Sequence, residues 1–315
     1  MQILAVVVRY KMNLEQSPTI SSLCVAFHRR PDLLQSVGLL IWDNSPIPLK
    51  NPVLSIPFNY RHSPKNVGVS GAYNRAMELA ESQGYQWLLL LDQDTTLTED
   101  FLPRILEYTR VLAGNPEVAA IAPLLMEDDR IVSPMVVRAY RWRHARPFRQ
   151  PFSGVCPKKV FAANSGTLMR VSSLRQIGGF DEEFWLDISD VVVFDRLYQS
   201  GKRLYVAGDL RIQHRLTNND YDGSMSPERY RNFIASEGAY WDIYGTVFQN
   251  VLQTARLFGR MAIQYIRYRN KIYSRITGEF LFGRLTSSKR TRIQLWKKQS
   301  EKRDIPAIAS GVVVG

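Results

Sequence analysis

Cysteine is scarce. The 315 residues hold 2, Cys24 and Cys156, far apart and in no metal-ligand or redox spacing. Such usage argues against a disulfide-stapled scaffold and suits a reducing compartment, with two buried thiols the simplest reading. Long apolar runs are missing too. No stretch of about 18 uncharged apolar residues occurs, so no membrane-spanning helix is expected. The run Ile3–Val8 is too short for a signal-peptide core, and no basic residue precedes it, so no export signal is expected. Internal repeats and low-complexity tracts are also absent, and a 45% hydrophobic content beside 22% charged residues excludes global disorder.

What is present is a chain long enough for one large domain with an appendage, or for two modest domains. Aromatic residues are plentiful, with 6 Trp, 15 Tyr and 14 Phe. Such side chains fill cores and also line sugar-binding and membrane-interface surfaces. The formal net charge of +12 is unevenly placed. Between Arg256 and Lys298 many Lys and Arg face a single acid, Glu279, so the rest of the chain is close to neutral. An anionic partner is therefore implied for that segment alone.

Ile3–Val8 is a continuous, β-branched apolar run, as expected of a strand buried on both faces of a parallel sheet. Residues 16–36 read as a helix-bearing crossover, Val37–Trp42 as a second strand, and Phe58–Arg61 as a third. Ala72–Ser82 reads as a helix, and Trp87–Leu91 as a strand stopped by Asp92-Gln93-Asp94. A helix capped by Thr98 or Glu99 follows, towards Ala113. Residues 125–160 read as loops or an irregular insertion. Order returns with a strand at Thr167–Arg170, a helix around 189–200 and a strand at Leu204–Ala207. The alternation indicates an α/β fold with a largely parallel sheet.

Two acids one residue apart at the C-terminal end of a buried strand lie where open α/β sheets bind ligands. Asp92 and Asp94 could there face a hard divalent cation that bridges phosphate oxygens, or form a plain acidic turn. Asp43-Asn44-Ser45 ends its strand in the same way, either to receive a base or ribose or as an Asx-turn. Asn66 to Asn74 (NVGVSGAYN) is a glycine-punctuated helix entry. It could bring backbone N–H groups to a phosphate or sugar, or pack helix on strand. No Lys-Ser/Thr follows Gly71, so it is neither a P-loop nor a GxGxxG motif.

The set Asp43-Asn44-Ser45, Asn66-x-Gly68-x-x-Gly71-Ala72-x-Asn74 and Asp92-Gln93-Asp94 resembles the inverting family 2 glycosyltransferases, and within them the bacterial rhamnosyltransferases of cell-surface polysaccharides. Ser165-Gly166, Ile177-Gly178-Gly179-Phe180-Asp181-Glu182, Asp187-x-x-Asp190, Arg196, Gly201 and His214 follow in the same order. The resemblance covers roughly residues 1–235. It implies a GT-A, Rossmann-like domain over 1–225: a mixed, mostly parallel sheet flanked by helices. It further implies that Asp43, with backbone near Val8–Tyr10, holds the base or ribose, and that Asn66, Gly68, Gly71, Asn74 and Asp92 line the nucleotide-sugar. Asp94, with Asp92 and with His214 as a further candidate ligand, would bind Mg²⁺ or Mn²⁺. Asp190 would be the catalytic base and Asp187 would sit at the acceptor side.

Two positions depart from the family pattern: Val192 stands where an acid is usual, and Asp195 where an apolar residue is usual. Asp187 or Asp190 could instead be a helix N-cap, and His214 a structural residue. The implied reaction is transfer of L-rhamnose from dTDP-rhamnose to a saccharide or polyprenyl-diphosphate-linked acceptor. The alternatives are a galactofuranosyl- or glucosyltransferase using a UDP-sugar, or an inactive nucleotide-binding scaffold.

Beyond about residue 226 the chain becomes helical, aromatic and basic, giving an appendage over 226–315. Val251, Ala255, Phe258, Ala262, Tyr265, Tyr268 and Ile272 share one helical face, and Gln249, Gln253, Arg256, Arg260, Gln264, Arg267 and Lys271 another. Such a helix could lie in a membrane interface or pack its apolar face on the domain. No nucleic-acid module accompanies the charge, so no nucleic-acid partner is expected. Residues 305–315 read as a frayed end. The expected place is the cytoplasm, peripheral on the cytoplasmic face of the inner membrane.

Overall fold

In the computed structural model, which describes residues 2–137, 145–213, 225–301 and the backbone of 313–314, the first apolar run becomes β1 (Ile3–Arg9), buried throughout. Parallel pairing places β2 (Val37–Asp43) and β4 (Trp87–Asp92) on its two sides, and β3 (Phe58–His62) continues beyond β2. Burial on both faces explains why β1, β2 and β4 read as unbroken apolar runs. The intervening helices are α1 (Pro18–Arg29), capped by Ser17, α2 (Gly68–Ser82) and α3 (Phe101–Val111). Helix α2 starts a turn earlier than the expected Ala72. Helix α3 has Asp100 at its N-cap position, without a side-chain cap bond, where Thr98 or Glu99 was expected.

Sequence reading passed over β5 (Val118–Glu127), which is buried along nearly its whole length. Its alanines and Pro123 dilute the strand signal. The proline is tolerated because the ladder to its parallel partner β12 (Arg203–Gln213) breaks between Ala207 and Arg211, directly after the pair formed by Ala207 and Pro123. The stretch expected to be irregular holds short strands: β6 (Arg130–Ser133), β7 (Met135–Val137), β8 (Ala145–Pro147), β9 (Gly154–Val155) and β10 (Val160–Phe161). Strand β11 (Leu168–Arg170) runs antiparallel between β4 and β5, followed by α4 (Val171–Gln176) and α5 (Ser189–Gln199).

Among the described residues the main sheet has 10 strands, in the order β13-β3-β2-β1-β4-β11-β5-β12-β9 with β6 on β5, where β13 is Val313–Val314. It is the expected mixed, mostly parallel α/β sheet flanked by helices. Strands β7, β8 and β10 form a small sheet of their own. One core layer, with Leu23, Phe27, Phe101 and Ile105, covers one face of the main sheet. The other, with Tyr73, Ala76, Met77 and Phe194, covers the opposite face.

The described chain divides into two compact units, the second holding 225–301. It is built from α6 (Pro227–Tyr244), α7 (Val247–Arg267), α8 (Ile272–Thr286) and α9 (Lys289–Glu301). Tyr230, Ile234, Leu257, Tyr273 and Ile276 form its core. Asp242, buried on α6, receives two hydrogen bonds each from Arg284 and Arg292 at 2.8–3.1 Å. Helix α7 turns its polar stripe inward. Gln264 donates to the Tyr230 hydroxyl at 2.8 Å and accepts from Thr277 at 2.7 Å, and Arg260 pairs with Glu237 at 2.6 and 2.9 Å. Its apolar stripe faces out, with Val247 81%, Val251 64% and Ile266 81% exposed. No helix among the described residues is long and apolar enough to cross a membrane.

Candidate active site at the carboxyl edge of the parallel strands

The pairing register sets the site. Arg9 lies opposite Asp43, and Val8 opposite Asp92, so the acids of β2 and β4 flank the end of β1 on one sheet edge. Two strand spacings put them about 10 Å apart.

Asp43 is fully buried and already engaged. Its Oδ2 accepts from Arg9 and, at 2.5 Å, from the Tyr60 hydroxyl, while Oδ1 accepts the Ser45 amide at 2.9 Å. The Asx-turn is formed, and the carboxylate anchors the ends of the neighbouring strands. Tyr10 is exposed, and its backbone N–H and C=O are both held by the Gln93 side chain, at 2.8 and 3.3 Å.

The acidic loop after β4 is fixed from below by hydroxyls. Ser17 donates to the Gln93 carbonyl at 2.5 Å, and Thr19 to the carbonyls of Asp92 at 2.5 Å and Thr95 at 2.8 Å. The Asp92 amide donates to Ser165 at 3.4 Å. Asp92 is left partly buried and Asp94 exposed. Sequence reading missed Ser17 and Thr19. The available signal was the Ser-Pro-Thr start of α1, which marks a cap but not its far partner.

The glycine-punctuated motif makes room for protein. Gly68 has φ +71°, and a Cβ there would meet the Trp185 carbonyl oxygen at 2.1 Å. A Cβ at Gly71 would meet Val67 at 2.8 Å. Asn66 is exposed and its Oδ1 accepts the Gly68 amide at 2.9 Å, an Asx-turn into α2. Asn74 exchanges hydrogen bonds with the Phe180 backbone at 2.7 and 3.0 Å and donates to Glu182 at 2.8 Å. Ser70 donates from its hydroxyl to Phe184 O at 2.7 Å and from its amide to Trp185 O at 3.2 Å. Gly68, Gly71 and Asn74, expected to line the nucleotide-sugar, therefore dock the loop 180–186, because their surroundings are filled by that loop and by their own helix start.

From the other side, Arg196 donates to the carbonyls of Ile177 and, at 3.1 Å, Gly179. Gly178 and Gly179 both take φ near +75°, which is why the turn needs glycines. The clamped loop delivers Asp187, 5% exposed, and Asp190, in the first turn of α5. Between them Ile188 sits at φ 65°, a left-handed conformation that a β-branched residue adopts only under constraint. Val192 is buried in the core, and Asp195 pairs with Lys159, which accounts for both departures from the family pattern.

Asp190 Oδ1 accepts the Val191 amide at 2.8 Å. Burial above all, and then the charges of Asp187 and Asp92, push its carboxyl up to about 6. Three of the acids act electrostatically on Tyr73. Its hydroxyl is buried without a hydrogen-bond partner and held in its protonated form, first by burial and then by Asp92, Asp190 and Asp94. Asp92, Asp94 and Asp190 therefore lie in one region of the sheet edge without forming a tight cluster of three acids, with Asp187 beside Asp190 and Asp43 further along the edge. His214 lies outside the described residues. Gln213 bridges to Thr96, two residues beyond Asp94.

No group of three His, Cys, Asp or Glu able to hold a metal ion occurs among the described residues. Two loop carboxylates nonetheless fit Mg²⁺ or Mn²⁺ in a site completed by substrate phosphates, since Mg²⁺ commonly takes one or two carboxylates and keeps several waters.

Residues 39–178 match the sequence model of Glycosyl transferase family 2. Over that stretch the chain is similar to the family 2 glycosyltransferases. None of the curated proteins matches the chain in sequence. Among solved structures, S. aureus TarS 1-349 aligns at 11% identity and TM-score 0.45, covering 96% of this chain and 90% of that one. The same protein in complex with UDP-GlcNAc aligns at 13% and 0.48, covering 97% and 88%. A longer TarS chain aligns at 12% and 0.47, covering 96% and 55%.

Proposed function

We propose that this chain transfers a sugar, with inversion, from a nucleotide-sugar to a saccharide or polyprenyl-diphosphate-linked hydroxyl, with dTDP-L-rhamnose as the donor. The observation that carries the reading is the register that sets the acids ending β2 and β4 at the strand edge where α/β sheets bind ligands, with Asp190 within electrostatic reach of Asp92. Asp190 takes the proton of the attacking hydroxyl. A carboxyl raised to about 6 is ionised at neutral pH yet more basic than an ordinary aspartate, which favours that transfer. Asp187 faces the acceptor, and the strand ends that Asp43 and Gln93 fix, at Val8–Tyr10, border the nucleoside. Mg²⁺ or Mn²⁺ bound by Asp92 and Asp94, with His214 as a further candidate ligand, would offset charge on the departing diphosphate. The donor sugar rests on the motif resemblance alone.

A donor panel tests the reading: turnover with a UDP-sugar and none with dTDP-rhamnose overturns the donor. Asp190→Asn should bind nucleotide and lose turnover. A scaffold would bind nucleotide and have no turnover to lose.

The outward apolar stripe of α7 favours a membrane partner on the cytoplasmic face of the inner membrane. A second copy of this cationic unit would be repelled, whereas anionic headgroups attract it. Val251→Glu with Ile266→Glu should abolish sedimentation with phosphatidylglycerol vesicles. Unchanged sedimentation refutes it.

A further inference from the structure

Tyr73 is fully buried on α2, one position before the Asn74 that clamps the Phe180 backbone, and its ring lies 5.2 Å from that of Phe180. A buried hydroxyl normally finds a partner, and one left without it costs stability. The Tyr73 hydroxyl has none, although the acids of two separate loops, Asp92 and Asp94 after β4 and Asp190 at the start of α5, all act on it. A fully buried donor without a partner, on the helix that packs against the loop leading into α5, can gain one if a nearby acceptor turns towards it.

We propose that Tyr73 is a positioning residue whose hydroxyl donates to the Asp190 carboxylate once the site is filled, fixing the base against the acid loop of β4. Asp190 Oδ1 already accepts the Val191 amide, so the bond falls to Oδ2. The burial of the hydroxyl keeps it from touching substrate directly, so its effect passes through Asp190. In the free protein the missing bond is a stability cost, offset only when ligand is bound. The inference rests on the glycosyl-transfer reading.

Tyr73→Phe removes one oxygen and keeps the ring. The variant is expected to melt no lower than the parent, because an unsatisfied group is removed. Its kcat should fall about 10- to 100-fold, the loss of one hydrogen bond to a charged group, with the donor KM changed less than about threefold. A hydroxyl serving only the fold, for instance through a bound water, would give the opposite pattern: a lower melting temperature and an unchanged kcat. That pattern overturns the inference, as does a variant with parental kcat or one in which stability and kcat fall together. If the parent itself turns over no nucleotide-sugar, the functional reading fails and this inference fails with it.

Discussion

Replacing Asp190 with Asn should stabilise the protein, and only at a pH where the aspartate is ionised. Its folded carboxyl sits at about 6 against an ordinary 3.8, chiefly because burial penalises the charge. A pKa raised on folding contributes stability that is complete below the unfolded value and lost as pH rises through the folded one. Two units, at about 1.4 kcal/mol each, put the cost of the ionised form at about 3 kcal/mol at neutral pH. Asn removes the charge, and its Oδ1 can still accept the Val191 amide. At pH 7.5 without metal the variant should melt about 6–12 °C above the parent, from about 2–4 °C per kcal/mol for a domain of this size. The gap should close towards pH 4. Thermal denaturation at pH 7.5, 6 and 4.5 measures it. A variant that melts lower than the parent, or a gap that does not change with pH, would refute the burial of this charge.

Activity and packing give further expectations. The acid limb of kcat/KM should bend near pH 6, since protonated Asp190 cannot accept a proton; a limb bending below pH 4.5 would point to another base. Asp43→Ala leaves the buried Arg9 without its carboxylate and should cost about 3–5 kcal/mol in urea denaturation; a loss under 1 kcal/mol would mean the pair is solvated. Asn74→Ala unpairs the Phe180 N–H and C=O and should cost about 1–3 kcal/mol while lowering kcat. Gly179→Ala combines φ +75° with a Cβ 2.4 Å from Asn74 Oδ1 and should destabilise at least as much, read by the same denaturation.

Strands β1, β2 and β4 were legible because burial on both faces leaves runs such as Ile3–Val8 and Trp87–Leu91 with no polar interruption. Strand β5 was not, because Pro123 is excused by a ladder break contributed by a partner about eighty residues away. The acids followed the same logic. A carboxylate ending a buried strand is visible in one dimension, and the register sets Asp43 and Asp92 at one sheet edge. The role of NVGVSGAYN was not visible. Glycine at Gly68 and Gly71 says that something approaches closely, and the sequence cannot say whether that is a phosphate or the backbone of Trp185. Tyr73 was passed over because a tyrosine on a buried helical face looks like any other core residue until its hydroxyl is found to lack a partner.

Helix α7 exposes a different limit. Periodicity separates its two faces correctly, with Val251 and Phe258 on one and Gln253, Arg260 and Gln264 on the other. The usual expectation is that the apolar face goes inward, since hydrophobic burial dominates. Here Gln264 meets Tyr230 and Thr277, and Arg260 meets Glu237, so the inward polar groups are satisfied and burying them costs little. The sign of an amphipathic helix is thus set by whether complementary polar partners wait on the neighbouring helices, information that lies in α6 and α8. Once those partners are present, the apolar stripe must find its own cover. Substituting Gln264 by Leu probes this directly: Tyr230 and Thr277 keep their bond to each other and Thr277 its bond to Tyr273 O, so losing the two Gln264 bonds should destabilise the unit by about 0.5–1.5 kcal/mol despite the gain in hydrophobicity. A more stable Leu variant would show that the inward turn of the polar face owes nothing to these hydrogen bonds.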